Sequence, residues 1–269
     1  MSKEKKFIEF SDVNRIWAVG SIHSNFDSFL IIKDFIIKNF QENDKLVFLG
    51  NTIGLGIKAM ETLNEILKLR LELMSKFKLK PNEVVFLRGA QEEMFYKLLQ
   101  LQTAPNPPEI IQWMFSHGVD KTIQSYGFDK GEIERIVNTG TLNISKWTST
   151  LNKRIESIPG HKEFFSNLKH AAYSRSKQIL FVNRGVDIKR PLSAQNDCFW
   201  WGYQNFSKLN KPYNTFIRIV RGYESKHTDF KIKRDSTVCT LFKQPLTNKK
   251  IITGLFRENG EILDLFESN

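Results

Sequence analysis

Short apolar segments that each end in a glycine-containing loop constrain the fold of this chain more than any other feature. Three such segments, the first predicted strand at 15–20 and two more at 46–49 and 84–87, have the length of buried strands. Between and after them lie longer segments with helical periodicity. This alternation of strands and helices is typical of an α/β sheet with helices packed on its faces. The predicted helices cover residues 26–40, 57–77 and 92–101.

Beyond these elements the pattern changes twice. Residues 103–108 contain three prolines and predict a break, and residues 108–168 are mostly helical in pattern. Because 269 residues fit one large α/β domain, we predict a single domain, 1–269, with a helical insertion at about 108–168. The turn residues 258–260 predict a hairpin near the end of the chain. The predicted strands of the second half are 179–182, 216–221, 237–242, 251–256 and 262–266.

The composition limits the compartment and the partners. The net charge of +11 favours acidic partners such as nucleic acid, anionic lipid or phosphorylated protein. The alternative is that scattered lysines only keep the surface soluble, and no nucleic-acid-recognition motif is present. No apolar run is long enough to span a membrane. Cys198 and Cys239 have no disulfide or zinc spacing, so we expect buried thiols in a reducing, cytoplasmic compartment.

Chemistry is expected in the loops that follow the predicted strands, because ligands of open α/β sheets bind at the carboxyl ends of strands. Five such loops contain glycine together with polar side chains. Their sequences are GSIHS at 20–24, GNTIGLG at 50–56, RGAQE at 88–92, NRG at 183–185 and RGYE at 221–224.

These loops follow one another in the order seen in metallophosphatases of the phosphoprotein phosphatase family. That family has loops of the form GDxHG, GDxxDRG, GNHE, a histidine before Ala-Gly, and Gly-His-Thr. VFLGNTIGLG resembles VFLGDxxDRG, VVFLRGAQEEM resembles VVxLRGNHEEM, and WMFSHGVDKTIQSYG resembles WLxNGGxxTLxSYG. From about Ile16 to about Phe266, the chain resembles a calcineurin-like metallophosphoesterase of the bacterial serine/threonine phosphatase type.

The resemblance implies an α/β fold, namely a metallophosphatase-like sandwich of two mixed β-sheets flanked by helices with a helical insertion. It also implies a site that, in the family, holds two Mn, Fe or Zn ions bridged by a hydroxide. His23 matches the pattern, but most other ligand positions do not. The departures are Ser21 and Asn51 for two Asp, Gly54 and Leu55 for the second Asp and the Arg of that loop, Ala90 for Asn, Gln91 for the His that serves as general acid, and Asn183 and Tyr223 for two His.

The departures predict that the metal cofactors and the catalysis are both lost. Two adjacent cations need carboxylates to neutralise them and imidazoles to complete their coordination. Serine, alanine and tyrosine are poor substitutes, and an asparagine brings no negative charge. The amide of Gln91 does not titrate near neutral pH and is no general acid. The residues that survive are Gly20, Gly50, Gly56, Gly89, Gly185 and Gly222, with Arg88 and Glu92.

Arginines stand close to the former ligand positions. Arg88, Arg184 and Arg221, together with His23, form a candidate anion-binding pocket, because guanidinium groups bind oxyanions with two parallel hydrogen bonds. The alternative is that these arginines face solvent or pair with Glu92, Glu93 and Glu224. For His23 the alternative is a hydrogen-bonded polar residue near the sheet edge.

Three functions remain open on the sequence alone. The first is a pseudophosphatase, a binding, scaffolding or regulatory module whose partner is another protein and whose pocket takes phosphate or an acidic ligand. The second is an atypical phosphoesterase that works without the usual ligands. The third is a basic protein that binds polyanions or nucleic acid through its net charge of +11.

Overall fold

The computed structural model describes residues 6–195, 197–204, 206–224, 236–242 and 250–268. In this part of the chain the strands are β1 (Phe7–Phe10), β2 (Ile16–Val19), β3 (Lys45–Phe48), β4 (Val84–Phe86), β5 (Ala171–Ser174), β6 (Ile179–Val182), β7 (Arg218–Arg221), β8 (Val238–Thr240), β9 (Ile252–Phe256) and β10 (Ile262–Glu267). The helices are α1 (Phe26–Asn39), α2 (Ala59–Phe77), α3 (Ala90–Leu98), α4 (Pro107–Ser116), α5 (Val119–Ser125), α6 (Lys130–Ile136), α7 (Thr141–Glu156), α8 (His161–Ser166) and α9 (Cys198–Trp201). Short 3-10 turns lie at Leu101–Thr103, Leu192–Ala194 and Phe206–Lys208.

Two mixed sheets of five strands each form the centre of the molecule. One has the order β10-β9-β2-β3-β4, and the other has the order β1-β5-β6-β7-β8. In the first sheet β2, β3 and β4 are parallel, while β9 is antiparallel to both β2 and β10. In the second sheet only the β5–β6 pair is antiparallel. The predicted sandwich of two mixed sheets flanked by helices is therefore confirmed.

The alternation of side chains along β2 shows how the layers are built. Ile16 and Ala18 point into the core between the two sheets, whereas Trp17 and Val19 point to the helical layer formed by α1 and α2. Every residue of this strand is buried, because both faces of a parallel sheet are covered. Across the inner core Phe181 of β6 contacts Phe256 of β9 with ring centroids 5.9 Å apart.

The region from 107 to 166 consists of helices α4 to α8. These helices pack with α3 around a separate apolar cluster that includes Phe95, Ile123, Trp147 and Leu151. A buried hydrogen-bond chain also links this region to α2: the Tyr126 hydroxyl lies 2.7 Å from His161 Nδ1, and His161 Nε2 lies 3.0 Å from Asn64 Oδ1. Burial lowers the pKa of His161 to about 4, so His161 is neutral at neutral pH.

Some expectations about the elements were wrong. The segment at 15–20, predicted to be the first strand, contains the second strand, β2, because the unpredicted strand β1 precedes it. The strand β5 was not predicted either. These two unpredicted strands pair in parallel with each other, Phe7 opposite Ala171. Their local sequences, FIEF and AAYS, carry a weak strand signal, and tertiary pairing supplies the rest. Cys239 is buried as expected, but Cys198 is only partly buried.

The predicted hairpin at 258–260 joins β9 to β10, with the Gly260 amide donating to the Arg257 carbonyl at 3.0 Å. None of the helices in the described ranges is both long and apolar enough to cross a membrane.

Candidate functional site

The loops that follow β2, β3 and β4 are held together by contacts between their backbones. A Cβ atom on Gly89 would lie 2.3 Å from the Asn51 nitrogen, and one on Gly50 would lie 2.7 Å from the Gly89 nitrogen. Gly50 also has a φ of +81°. The packing of the loop backbones therefore requires these two glycines, independently of which side chains the loops carry.

A buried carboxylate ties the same loops to α3. Glu92 accepts hydrogen bonds from the backbone N–H groups of Asn51 at 2.8 Å, Thr52 at 2.7 Å and Gly89 at 2.9 Å. Burial raises the pKa of Glu92, and these N–H groups act in the opposite direction because they favour the charged form. All its nearby donors are backbone groups, so Glu92 has a structural role here.

Three of the positions that depart from the family pattern, Ser21, Asn51 and Gln91, bond to one another or to the backbone. The Asn51 Nδ2 atom donates to Ser21 Oγ at 3.3 Å, and Asn51 Oδ1 accepts from the Gln91 backbone nitrogen at 3.1 Å. The Gln91 side chain donates to the His117 carbonyl at 2.9 Å. Ala90 begins α3 and adds no polar side chain. The side chains at these positions are thus held by neutral hydrogen bonds.

The positions on the second sheet are filled in a different way. Asn183 is completely buried and donates from Nδ2 to the Leu49 carbonyl at 2.6 Å. The Tyr223 ring lies edge-on to His23, with ring centroids 5.6 Å apart, and contacts Phe242 at 4.7 Å. Phe242 in turn contacts His23 at 6.2 Å. An aromatic cluster of His23, Tyr223 and Phe242 therefore occupies this part of the site.

His23 does not match the expectation of a hydrogen-bonded residue near a sheet edge. It follows β2, which is the central strand of its sheet. Its ring nitrogens are buried, and neither has a hydrogen-bond partner of normal geometry in the described part of the chain. Burial lowers the pKa of His23 to about 4, and the Ile53 backbone offsets this only partly. His23 is therefore neutral at neutral pH and brings no positive charge to an anion.

The next residue, Ser24, stands where the GDxHG pattern has its second glycine. Its φ is +58°, a left-handed conformation that disfavours residues with a side chain. Its hydroxyl is buried and has no hydrogen-bond partner in the described residues. The loop thus keeps the backbone shape of the pattern without the glycine that suits it.

Arg88 and Arg221 are paired with glutamates. Arg88 lies 2.8 Å from Glu93, and the buried Arg221 lies 2.7 Å from Glu224. The Arg221 Nε atom also donates to Thr240 Oγ1 at 2.8 Å. For these two residues, the alternative of pairing with neighbouring glutamates is what the structure shows.

Arg184 lies next to Arg221. Burial lowers the pKa of Arg221, Glu224 raises it, and the charge of Arg184 lowers it further. The Arg184 guanidinium also lies over the Tyr223 ring, 5.5 Å from its centroid. The structure thus brings Arg184, Arg221 and the aromatic cluster together. Arg88 instead stacks on Tyr96 and Trp200, 5.2 and 5.8 Å from their ring centroids.

The residues at this site do not fit a pair of metal ions. Within the described ranges, no three His, Cys, Asp or Glu side chains are grouped so that they could hold a metal. None of the altered positions carries a carboxylate, and a two-metal centre needs negative ligands. The nearby carboxylates of Glu92 and Glu224 are already bonded to backbone N–H groups and to Arg221.

A cleft of about 500 Å³ opens beside the site, between the loop after β2 and the start of α2. Ser21 and His23 line it on one side, and Leu55 and Ile57 line it on the other. At its edge Lys58 pairs with Asp27 at 3.1 Å. Predominantly apolar clefts with a few polar groups are typical ligand-binding surfaces.

Sequence reasoning did not single out two residues of the site. Phe242 packs on His23 and Tyr223, and Thr240 bonds to Arg221. Both lie at the carboxyl end of β8, which is parallel to β7. The rule that led to the other loops, namely that sites form at carboxyl ends of parallel strands, would have included them.

The fold is similar to that of several solved phosphatases. A protein serine/threonine phosphatase from Saccharomyces cerevisiae, described as similar to human phosphatase PP5, superposes with a TM-score of 0.54 at 15% identity over 98% of this chain and 83% of its own. A proposed diadenosine tetraphosphatase gives 0.52 at 12% identity over 97% and 96% of the two chains. A mutant of a cold-active protein tyrosine phosphatase gives 0.50 at 14% identity over 100% and 85%.

At these identities the likeness shows the fold alone. No protein-family model matches the sequence, and no curated protein is significantly similar to it. The activity of this chain must therefore be argued from its own site.

Proposed function

We propose that this chain is a non-catalytic, metallophosphatase-like protein that acts as a binding, scaffolding or regulatory module. One observation carries the proposal: the positions that would hold metals are occupied by side chains bonded to one another or to the backbone. Asn51 bonds to Ser21 and Asn183 bonds to the Leu49 carbonyl. Tyr223 fills space against His23. A fold of this kind does not by itself imply the usual chemistry.

The side chains at the site also offer no substitute for the lost chemistry. Phosphoester hydrolysis needs an activated water and a group that protonates the leaving oxygen. The buried His23 is neutral, with a pKa of about 4. The Gln91 amide donates to the His117 carbonyl and cannot act as an acid.

The partner that we propose is another protein. Aromatic and arginine side chains are enriched at protein interfaces, where a few of them contribute most of the binding energy. Tyr96 and Trp113 are large aromatic side chains that stay 42% and 44% exposed. Tyr96 stacks with Arg88, and Trp113 packs against Trp201 with ring centroids 6.0 Å apart.

The proposal is tested by metal analysis together with an activity assay. We expect the purified chain, after incubation with manganese, to hold no stoichiometric pair of Mn, Fe or Zn ions. We also expect no hydrolysis of p-nitrophenyl phosphate above the background of a mock purification. Asn51→Asp should not restore activity, because one carboxylate leaves the other positions unchanged. Two metals per chain with robust turnover would contradict the proposal and favour an atypical phosphoesterase.

The anion pocket is a separate part of the proposal. We expect inorganic phosphate to bind near Arg184 and Arg221. Of the other two candidate residues, Arg88 stacks on Tyr96 and Trp200 and His23 is neutral, so neither is expected to bind it. Arg184→Gln should weaken phosphate binding, measured by calorimetry, by about tenfold, because one charge-assisted pair of hydrogen bonds is lost. The matched control is Lys146→Gln, an exposed cation on α7. Absence of saturable phosphate binding to the unaltered protein would reject the pocket.

The net charge of +11 favours a second candidate, a polyanion- or nucleic-acid-binding protein. Contacts to phosphates make affinity fall steeply with salt. Binding of a fluorescent single-stranded oligonucleotide at increasing salt distinguishes this candidate from a specific protein partner. A steep linear fall of log affinity supports the polyanion function, and no measurable binding at low salt excludes it.

A further inference from the structure

A second concave surface lies on the flank of the molecule, away from the loops described above. It is a groove of about 570 Å³ between α2, α8 and the segment that leads into β4. Pro81 and Asn82, which line it, precede β4 and therefore lie at the amino end of that strand. The candidate site is formed at the opposite, carboxyl ends of the strands.

Apolar side chains form most of the walls. Leu67 and Leu71 are four residues apart on α2 and so face the same side of the helix. Phe86 of β4 and Phe164 of α8 form the other wall, with ring centroids 5.1 Å apart. Gly160, with a φ of +82°, precedes α8 beside Leu67, and a Cβ atom there would lie 3.0 Å from Leu67 Cδ1.

One cation is set into this apolar surface. Arg70 lies on α2 between Leu67 and Leu71, and its Nη2 atom donates to the Pro81 carbonyl at 3.2 Å. Its Nε atom is buried and has no hydrogen-bond partner among the described residues. Burial lowers the pKa of Arg70. Arg70 as a whole is only partly buried, and its Nη1 atom is neither buried nor hydrogen-bonded within the described residues, so an acceptor placed in the groove would bond to it.

The other charged groups of the groove limit the ligand's charge. Lys169 lines the groove as a second cation, whereas the exposed Glu163 is a carboxylate on the rim. No ion pair joins Glu163 to Arg70 in the part of the chain that the structure describes. The net charge of these three side chains is about +1, which suits a single negative charge better than a doubly charged phosphate.

We propose that this groove binds a small amphipathic carboxylate, with the carboxylate on the Arg70 guanidinium and the apolar part against Leu67, Phe86 and Phe164. A guanidinium binds a carboxylate with two parallel hydrogen bonds. The volume lies within the range of about 300–1,000 Å³ for small-molecule sites, which are likewise mostly apolar with a few polar groups. This inference does not depend on the proposed function.

Calorimetric titration of the full chain with sodium decanoate below its micelle concentration tests the proposal. We expect saturable binding of one decanoate per chain. Decanol, which lacks the charge, should bind at least about tenfold more weakly. Arg70→Gln should weaken decanoate binding by a similar factor but leave decanol binding unchanged, and Leu71→Asn should weaken both.

Matched controls separate the groove from general surface effects. Lys76→Gln removes an exposed cation from the same helix, and Leu142→Asn removes an exposed leucine elsewhere on the molecule. Both should bind decanoate like the unaltered chain. Thermal unfolding without ligand verifies that each variant is folded, and Leu71 is 63% exposed, so its substitution is expected to be tolerated.

Three results would overturn the proposal. The first is absence of saturable decanoate binding, and the second is equal binding by Arg70→Gln and by the unaltered chain. The third is a change of ligand class: decyl phosphate binding more tightly than decanoate, or a short apolar peptide with a free C-terminal carboxylate binding while decanoate does not.

Discussion

At the scale of single residues, backbone contacts and side-chain ligands are under different physical constraints. Gly50 and Gly89 are fixed by the approach of one loop's backbone to another, which every protein with these loops must satisfy. Asn51 and Ser21 are constrained only by hydrogen bonding, and neutral amide and hydroxyl groups satisfy that as well as charged ones. The backbone packing of the loops therefore does not depend on whether the side chains at these positions are charged or neutral.

Gly89→Ala tests the backbone constraint. Its Cβ atom would lie 2.3 Å from the Asn51 nitrogen, so the loops after β3 and β4 would have to separate. We expect a loss of about 3 kcal/mol in the free energy of unfolding, measured with urea. The control Gly131→Ala, on α6, places its Cβ atom 3.2 Å from the Oδ1 atom of Asp129, which precedes that helix, and should change stability by no more than about 1 kcal/mol, the difference in helix propensity between glycine and alanine.

Ser24→Gly should stabilise the protein. The substitution relieves a left-handed conformation at a φ of +58° and removes a buried hydroxyl without a partner in the described chain. After the entropic cost of introducing a glycine is subtracted, we expect the free energy of unfolding, measured with urea, to rise by about 1 kcal/mol. The exposed Lys78, with a φ of +54°, offers only the first benefit, so Lys78→Gly should gain less. An equal or larger gain at Lys78 would show that the buried hydroxyl costs nothing.

At the scale of elements, a buried hydrogen-bond chain joins the helical region to the sandwich. Tyr126 follows α5, His161 begins α8 and Asn64 lies on α2. Tyr126→Phe leaves His161 Nδ1 without a partner, so we expect a loss of about 2 kcal/mol in thermal or urea unfolding. Tyr96→Phe, at an exposed ring, is the control and should have little effect. A negligible loss at Tyr126 would mean that the chain of hydrogen bonds does not hold these helices.

The elements that could be predicted from sequence are those whose own hydrophobic pattern indicates which of their residues are buried. The apolar runs at 46–49, 84–87 and 179–182 became β3, β4 and β6 because buried parallel strands are continuously hydrophobic. β5 also pairs with its neighbour β6, but β1 was missed because its pairing partner β5 lies more than half the chain away. Their pairing is a tertiary contact that a local pattern does not contain.

For the candidate site, the positions of the residues could be predicted from sequence, but their partners could not. Strand ends located the altered positions, since the carboxyl ends of parallel strands meet at one edge. The sequence did not indicate which carboxylate each arginine would pair with. In the structure Arg88 pairs with Glu93, and Arg221 pairs with Glu224. Nor did it indicate that Tyr223 and Phe242 would pack on His23, because that contact joins loops from both sheets.

At the scale of the whole molecule, the layers of the fold do not depend on the site. The core between the sheets, built around residues such as Ile16, Val47 and Phe181, lies below the loops. The helical layer on the first sheet and the aromatic layer on the second form separate clusters. Replacing polar ligands at the loop ends leaves these clusters intact, so a stable fold without catalysis is physically consistent.

Three histidines make the stability of the molecule sensitive to acid: His161 is buried, and His23 and His170 are partly buried. Burial lowers the pKa of His23, His161 and His170 to about 4, and the cations Arg88 and Lys169 add to the effect at His170. In the unfolded chain each histidine would have a pKa of about 6.5. Between these values the unfolded chain binds more protons than the folded one, so stability rises with pH. The stabilisation that these three histidines provide is fully present above about pH 6.5 and is lost progressively as the pH falls towards about 4.

Urea unfolding at pH 7, 6 and 5 measures this dependence. We expect the free energy of unfolding to decrease at each step, even though the raised pKa of Glu92 acts in the opposite sense, because three histidines outweigh one carboxyl group. His161→Gln should reduce the slope against pH by up to about one proton, or about 1.4 kcal/mol per pH unit, whatever it does to stability at pH 7. His117→Gln, at an exposed histidine, should leave the slope unchanged. A stability that is constant from pH 7 to 5 would show that these imidazoles accept protons in the folded state as readily as in the unfolded chain.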